Sequence, residues 1–92
     1  LMQNYPNPFN PSTQISFDIP ELKEGLIDVN IAVYNMLGQK VKTLLKSPLT
    51  SGSYQIEWDG ANDQDQVVPS GIYVYQFRSN FFNASKKMVL MR

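Results

Sequence analysis

From Gln14 onward, apolar and polar residues alternate one by one over several stretches, and this period of two constrains the chain more than any other feature. Successive side chains of an extended strand point to opposite faces, so Ile15, Phe17 and Ile19 share one face and Gln14, Ser16 and Asp18 the other. Val29, Ile31 and Val33 repeat the pattern against Asn30, Ala32 and Tyr34, as do Tyr54, Ile56 and Trp58 against Gln55 and Glu57. Gly71 to Ser79 carries Tyr73, Tyr75 and Phe77 on one face and Ile72 and Val74 on the other, which predicts a central strand covered on both sides. Lys40 to about Lys46 and Ser85 to Met91 read as two further strands.

Turn-forming residues separate these segments: Pro20 to Gly25, Asn35-Met36-Leu37-Gly38-Gln39, Ser51-Gly52, Asn80 to Asn83, and the long connection from Asp59 to Ser70. No window shows a helical period with caps at both ends, and Glu21 to Glu24 has room for one turn at most. Ahead of the first strand, Pro6, Pro8 and Pro11 fix φ and remove backbone donors, which excludes both a helix and a central strand. Residues 1–13 are therefore expected to form an ordered lead-in, anchored by Tyr5 and Phe9, and residues 14–92 the domain proper. Counting the lead-in, the expected fold is all-β, an Ig-like or fibronectin III-like antiparallel sandwich of about seven strands.

The composition removes several classes of function. With no cysteine there is no disulfide, thiolate nucleophile or thiolate metal site, and with no histidine the commonest general base and zinc ligand are missing. Eight acids balance eight bases, so no global field attracts nucleic acid or an anionic membrane. The distribution is uneven: every acid lies at or before Asp65, whereas Arg78, Lys86, Lys87 and Arg92 make the last part basic. No apolar run approaches the roughly 20 residues of a membrane-spanning helix. The chain opens on Leu1 without a signal-peptide pattern, which is expected of a piece cut from the end of a longer polypeptide whose export signal lies upstream.

The densest group of oxygen ligands is Asp59-Gly60-Ala61-Asn62-Asp63-Gln64-Asp65, which makes Asp59, Asp63 and Asp65 the calcium candidates. The spacing departs from an EF-hand loop, since Ala61 stands third, Gln64 sixth and Ser70 twelfth. The same residues are turn formers, and that reading is preferred. Serines and threonines lack an activating partner, so no catalytic residue, cofactor site or metal site is expected and the chain is read as non-enzymatic. Trp58, Tyr34 and Tyr75 are ring types on which sugars stack, although Trp58 and Tyr54 share a strand face with Ile56 as core residues do. Phe81 and Phe82 stand at a hairpin tip, either folding back over the core or offering an apolar contact to a partner.

Gln3-Asn4-Tyr5-Pro6-Asn7-Pro8-Phe9-Asn10-Pro11-Ser12-Thr13 resembles the opening of the C-terminal sorting domains of the type IX secretion system, also called the Por secretion system. Val33-Tyr34-Asn35-Met36-Leu37-Gly38-Gln39, Trp58-Asp59-Gly60, Pro69-Ser70-Gly71-Ile72-Tyr73-Val74-Tyr75 and Lys86-Lys87-Met88-Val89-Leu90 follow in that family's order. The resemblance implies an Ig-like sandwich at the end of a cargo protein, delivered through the periplasm and across the outer membrane of a Gram-negative bacterium to the cell surface. It also implies partners: the translocon, a surface sortase and the cargo domain of the same polypeptide. The family's late motifs fall on Gly71, Tyr73, Lys86, Lys87, Val89 and Leu90, which become the expected recognition residues. A basic last strand suits an acidic or edge-pairing receptor.

The Ig-like domain of flagellar hook-capping proteins has a similar Trp-Asp-Gly, Pro-x-Gly-x-Tyr and hairpin pattern, but the lead-in and the closing Lys-Lys-Met-Val-Leu favour the sorting domain. The alternative is an adhesive or carbohydrate-binding accessory module of a secreted enzyme, stabilised by calcium if the acidic loop binds it.

Overall fold

The computed structural model describes residues 1–21 and 25–92. Glu21 to Glu24, where one helical turn at most was expected, and the turn from Pro20 to Gly25 both include residues 22–24, which lie outside the described residues. Six strands follow one another: β1 (Thr13–Ile19), β2 (Ile27–Asn35), β3 (Lys40–Leu49), β4 (Gly52–Trp58), β5 (Gly71–Ser79) and β6 (Asn83–Leu90). They form two antiparallel sheets, β1-β4 and β3-β2-β5-β6, packed face to face as an Ig-like sandwich. Among the described residues no helix is long and apolar enough to cross a membrane.

The inward positions are those the alternation marks. Ile15, Phe17 and Ile19 of β1, Val29, Ile31 and Val33 of β2, and Tyr73, Tyr75 and Phe77 of β5 are all buried. They meet in two clusters along the sandwich. One gathers Phe9, Trp58, Tyr73, Tyr75, Met88 and Leu90 with Ile15 and Val33, and the other gathers Phe17, Phe77 and the remaining inward residues of β1 and β2. Trp58 sits edge-on to Tyr73 with ring centroids 5.3 Å apart, 5.6 Å from Phe9, and donates its indole N–H to the Ala61 carbonyl at 2.9 Å. That bond leaves the ring buried without an orphaned donor.

Four expectations need correcting. Among the described residues the sandwich has six strands, not seven, because the lead-in makes only isolated bridges, Tyr5 to Gln14 and Phe9 to Leu90; its prolines interrupt any ladder. Tyr5 is no anchor, being 80% exposed, while Phe9 is 2% exposed. β5 is interior to its sheet, yet only one face is covered, since Ile72 is 47% exposed on the side away from β1-β4. β3 runs on to Leu49 rather than stopping near Lys46, and its pairing with β2 slips twice, leaving Leu44 and Val41 without opposite residues. Both then pack against the core: the bulge at Leu44 turns inward a side chain that a regular register would turn outward, while Val41 keeps the inward parity of Leu45.

Phe9 joins the lead-in to the core. Phe9→Ala is expected to lower unfolding stability by about 3 kcal/mol, measured as a shift of the urea midpoint at unchanged slope.

Candidate functional site

β6 is an edge strand of the larger sheet, and it brings the expected recognition residues together. Gly71 lies opposite Leu90, Ile72 opposite Val89, Tyr73 opposite Met88, Val74 opposite Lys87 and Tyr75 opposite Lys86. The group does not present a single surface. Leu90 and Tyr73 are buried in the core. Lys86 shares the inward parity of Met88 and Leu90 at the sheet rim, whereas Lys87 and Val89 lie on the outer face. The adjacent lysines therefore straddle the strand.

The outward backbone groups of β6 are not free along its second half, because the lead-in has taken them. The Phe9 N–H donates to the Val89 carbonyl at 3.0 Å, and the Met91 N–H donates to the Phe9 carbonyl at 2.9 Å. The Val89 N–H donates to Asn7 Oδ1 at 2.9 Å, and Gln3 Nε2 donates to the Lys87 carbonyl at 2.8 Å. An edge-pairing receptor would find the folded strand already capped from Lys87 to Met91. The same segment also covers the edge of the other sheet: Met2 donates to the Ser16 carbonyl at 3.0 Å, and Tyr5 exchanges two bonds of 2.9 Å with Gln14. Residues 2–9 thus cross from one sheet edge to the other and satisfy both.

A buried polar group holds this crossing in place. The Tyr75 ring is fully buried, and its hydroxyl donates to the Met2 carbonyl at 2.7 Å while accepting from the Asn4 N–H at 2.9 Å. Among the described residues Asn4 and Thr13 are the two buried polar side chains, 2% and 1% exposed. Asn4 Nδ2 donates to Thr13 Oγ1 at 3.0 Å, and both side chains donate to the Pro6 carbonyl. Among the described residues no buried side-chain polar atom lacks a partner. Burial raises the pKa of Tyr75 above the ordinary tyrosine value, against the smaller opposing pull of the Asn4 amide. Burial likewise raises that of Tyr73, partly offset by Arg92.

Arg92 was not among the expected residues, yet it closes the same end. Its Nε donates to the Val68 carbonyl and its Nη2 to the Gly60 carbonyl, each at 2.7 Å. This gives the Trp58-Asp59-Gly60 stretch a physical basis. Trp58 fills the core, Asp59 Oδ1 accepts from the Ala61 N–H at 3.1 Å, and Gly60 holds φ at +76°. A Cβ at Gly60 would meet Arg92 Nη2 at 2.7 Å, which the flexible arginine can relieve, and would crowd the Pro11 carbonyl at 3.1 Å; with φ in the left-handed region, glycine is the residue that sits there without strain.

The three calcium candidates diverge. Asp59 caps its own turn, Asp63 Oδ1 accepts from the Thr43 N–H at 3.0 Å, and Asp65 pairs with Lys42 at 3.8 Å. Among the described residues no group of three or more acids converges on one point. The loop instead fastens to the β3 edge, where the Asp63 N–H also donates to the Val41 carbonyl at 3.1 Å. No sugar platform forms from the named rings either, since Trp58 and Tyr75 are fully buried. Phe82 folds back onto Phe77 in a stack with centroids 5.1 Å apart, while Phe81 stays 51% exposed.

Nothing in the sequence pattern flagged Asn4, Thr13 or Arg92 as structural partners. Their bonds span up to 71 positions, and short polar residues at a lead-in look like loop filler until the topology is known.

The model of the FlgD Ig-like domain family matches residues 7–80, more than half of the chain. Among solved structures, PorZ of Porphyromonas gingivalis, described as an essential bacterial surface component of the type-IX secretion system, is similar with a TM-score of 0.59 at 15% identity. The match covers 98% of this chain and 11% of that one. Comparison with curated proteins gives no match.

Two outcomes follow from Tyr75. At neutral pH, Tyr75→Phe leaves the Asn4 N–H and the Met2 carbonyl unpaired, so stability falls by about 1–3 kcal/mol and the Val89, Met91 and Gln14 amides exchange faster than the β5–β6 ladder amides. The raised Tyr75 pKa means that the stability of the neutral phenol is fully present below about pH 10, where unfolded tyrosine ionises, and is lost as pH rises toward the folded value. Thermal melts across that alkaline range should fall less steeply for Tyr75→Phe than for the parent chain.

Proposed function

We propose, from the premise that this chain belongs to the FlgD Ig-like domain family, that it serves as a non-catalytic C-terminal sorting module for type IX secretion. In this reading it directs a cargo domain of the same polypeptide across the outer membrane of a Gram-negative bacterium to the cell surface, and its partners are the translocon and the surface sortase. Of the two resemblances in the sequence, the family match is to the hook-cap type, which the lead-in and the closing motif had argued against.

The observation that carries the proposal is where that match stops. It spans residues 7–80 and leaves out the first six residues and the whole of β6. Outside it lie Gln3 to Pro6, where the lead-in motif begins, and the closing Lys86-Lys87-Met88-Val89-Leu90, and the two are bonded to one another, Gln3 to the Lys87 carbonyl; Asn7 and Phe9, which lie within the match, bond to β6 beside them. The common Ig-like frame thus carries an added surface made from both ends of the chain, with Lys87 and Val89 facing outward. The fold likeness to a surface component of the type-IX secretion system supports the same reading. So does the residue inventory, which lacks histidine and cysteine and engages Asp59, Asp63 and Asp65 in turns and straps.

The test fuses residues 1–92 behind a signal peptide and a reporter, in hosts with and without the secretion system. Surface delivery is expected only where both module and system are present, and deletion of Lys86 to Arg92 is expected to abolish it. Because that deletion also removes the buried Met88 and Leu90, a paired Lys87→Glu, Val89→Asp variant changes only side chains on the outer face. It should reduce delivery while its melting temperature stays near that of the parent. Equal delivery in both hosts, or full delivery by the folded double variant, rejects the reading.

A further inference from the structure

Four strands of this sandwich border an open side, and three of them are shielded. The lead-in covers β1 and the second half of β6, whose first half adjoins Lys86 and Lys87. β3 carries Lys46, Pro48 and two bulges, and Asp63 occupies its edge at Val41 and Thr43. Lysine, proline, bulges and covering loops are the usual means by which edge strands avoid pairing with other chains. β4, Gly52-Ser53-Tyr54-Gln55-Ile56-Glu57-Trp58, has no lysine, proline or bulge, and among the described residues no loop bonds to its outer edge.

The bonding parity identifies its exposed groups. Gln14 and Ser16 turn their backbone groups toward the lead-in, away from β4, and they lie opposite Glu57 and Gln55. In an antiparallel pair, residues opposite such positions also point away from the partner strand. The N–H and C=O groups of Ser53, Gln55 and Glu57 therefore face solvent along the free edge, and among the described residues none has a hydrogen-bond partner. Their side chains are exposed, while Tyr54 and Ile56 on the inward face remain only half-buried at the rim.

We infer that β4 is a self-association edge, at which a second copy of this chain pairs antiparallel about Gln55. Centring the pair on Glu57 instead would set two carboxylates face to face. Gln55 faces its own copy, Ser53 faces Glu57, and the outward backbone groups of each pair meet to exchange both hydrogen bonds. No like charges are opposed. On the inner face Tyr54 lies across from Ile56 twice, an aromatic and β-branched pairing that covers the apolar area each leaves exposed alone. The two-stranded sheet of each copy becomes half of a continuous four-stranded one. The lead-in and β6, on the opposite side of the sandwich, stay accessible.

Sedimentation equilibrium of the 92-residue chain over a concentration series tests the pairing, together with amide exchange at Ser53, Gln55 and Glu57. The expected result is a mass that rises from monomer to dimer, with protection of those amides rising in parallel. Gln55→Lys places two cations face to face across the axis without touching the β1 ladder, and should weaken the dimer by about tenfold or more while its melt as a monomer is unchanged. A chain that stays monomeric throughout overturns the inference. So does a dimer that survives Gln55→Lys without β4 protection, or β4 protection that appears only when a different protein is added.

Discussion

A sheet edge leaves a row of backbone donors and acceptors unpaired, and in this domain a proline-rich segment that cannot be a strand supplies their partners. The supply works because the partners are mixed. Backbone groups of Met2, Tyr5 and Phe9 alternate with the side chains of Gln3 and Asn7, so the prolines fall where no ladder bond is required. The segment is fixed laterally by Tyr75, whose hydroxyl reaches out of the core to Met2 and Asn4, and by Phe9, which enters the core beside Trp58. One aromatic points out and one points in. Between them the lead-in has a unique position on the sandwich.

That arrangement explains why the two ends of the chain belong to one surface. β6 ends beside Phe9, and Arg92 then reaches the Gly60 carbonyl, next to which the Pro11 carbonyl crowds the space a Cβ would take. A small sandwich buries a limited fraction of its surface, and here a residue at nearly every corner serves two elements at once. Gly60 is the clearest case: its missing side chain lets lead-in, long loop and C-terminal residue meet.

Much of the fold was legible in the sequence because period-two alternation depends only on neighbours. Ile15, Phe17, Ile19, Val29, Ile31, Val33, Tyr73, Tyr75 and Phe77 are buried as the pattern requires. The glycine at 38 takes the φ of +81° that its hairpin needs. The pattern misled where geometry departs from a regular ladder. Leu44 has the wrong parity for a straight strand and becomes inward through a bulge. Ile72 and Val74 looked like a second covered face because apolar residues alone do not say whether another layer exists. The residues of the candidate site were legible as motifs, but the capping of β6 by Gln3, Asn7 and Phe9 joins positions 80 or more apart, which no local rule detects.

The order of attachments along residues 2–9 has a mechanical meaning. Met2 holds β1, Gln3 holds β6, Asn4 holds Tyr75, Tyr5 returns to β1, and Asn7 and Phe9 return to β6. Tension applied at Leu1 reaches these bonds one at a time and from alternating sheets. The segment therefore unpicks like a running stitch, loosening both layers in small steps: Leu1, packed against both clusters, and the buried Asn4 give way before Phe9, whose ring lies within the core itself.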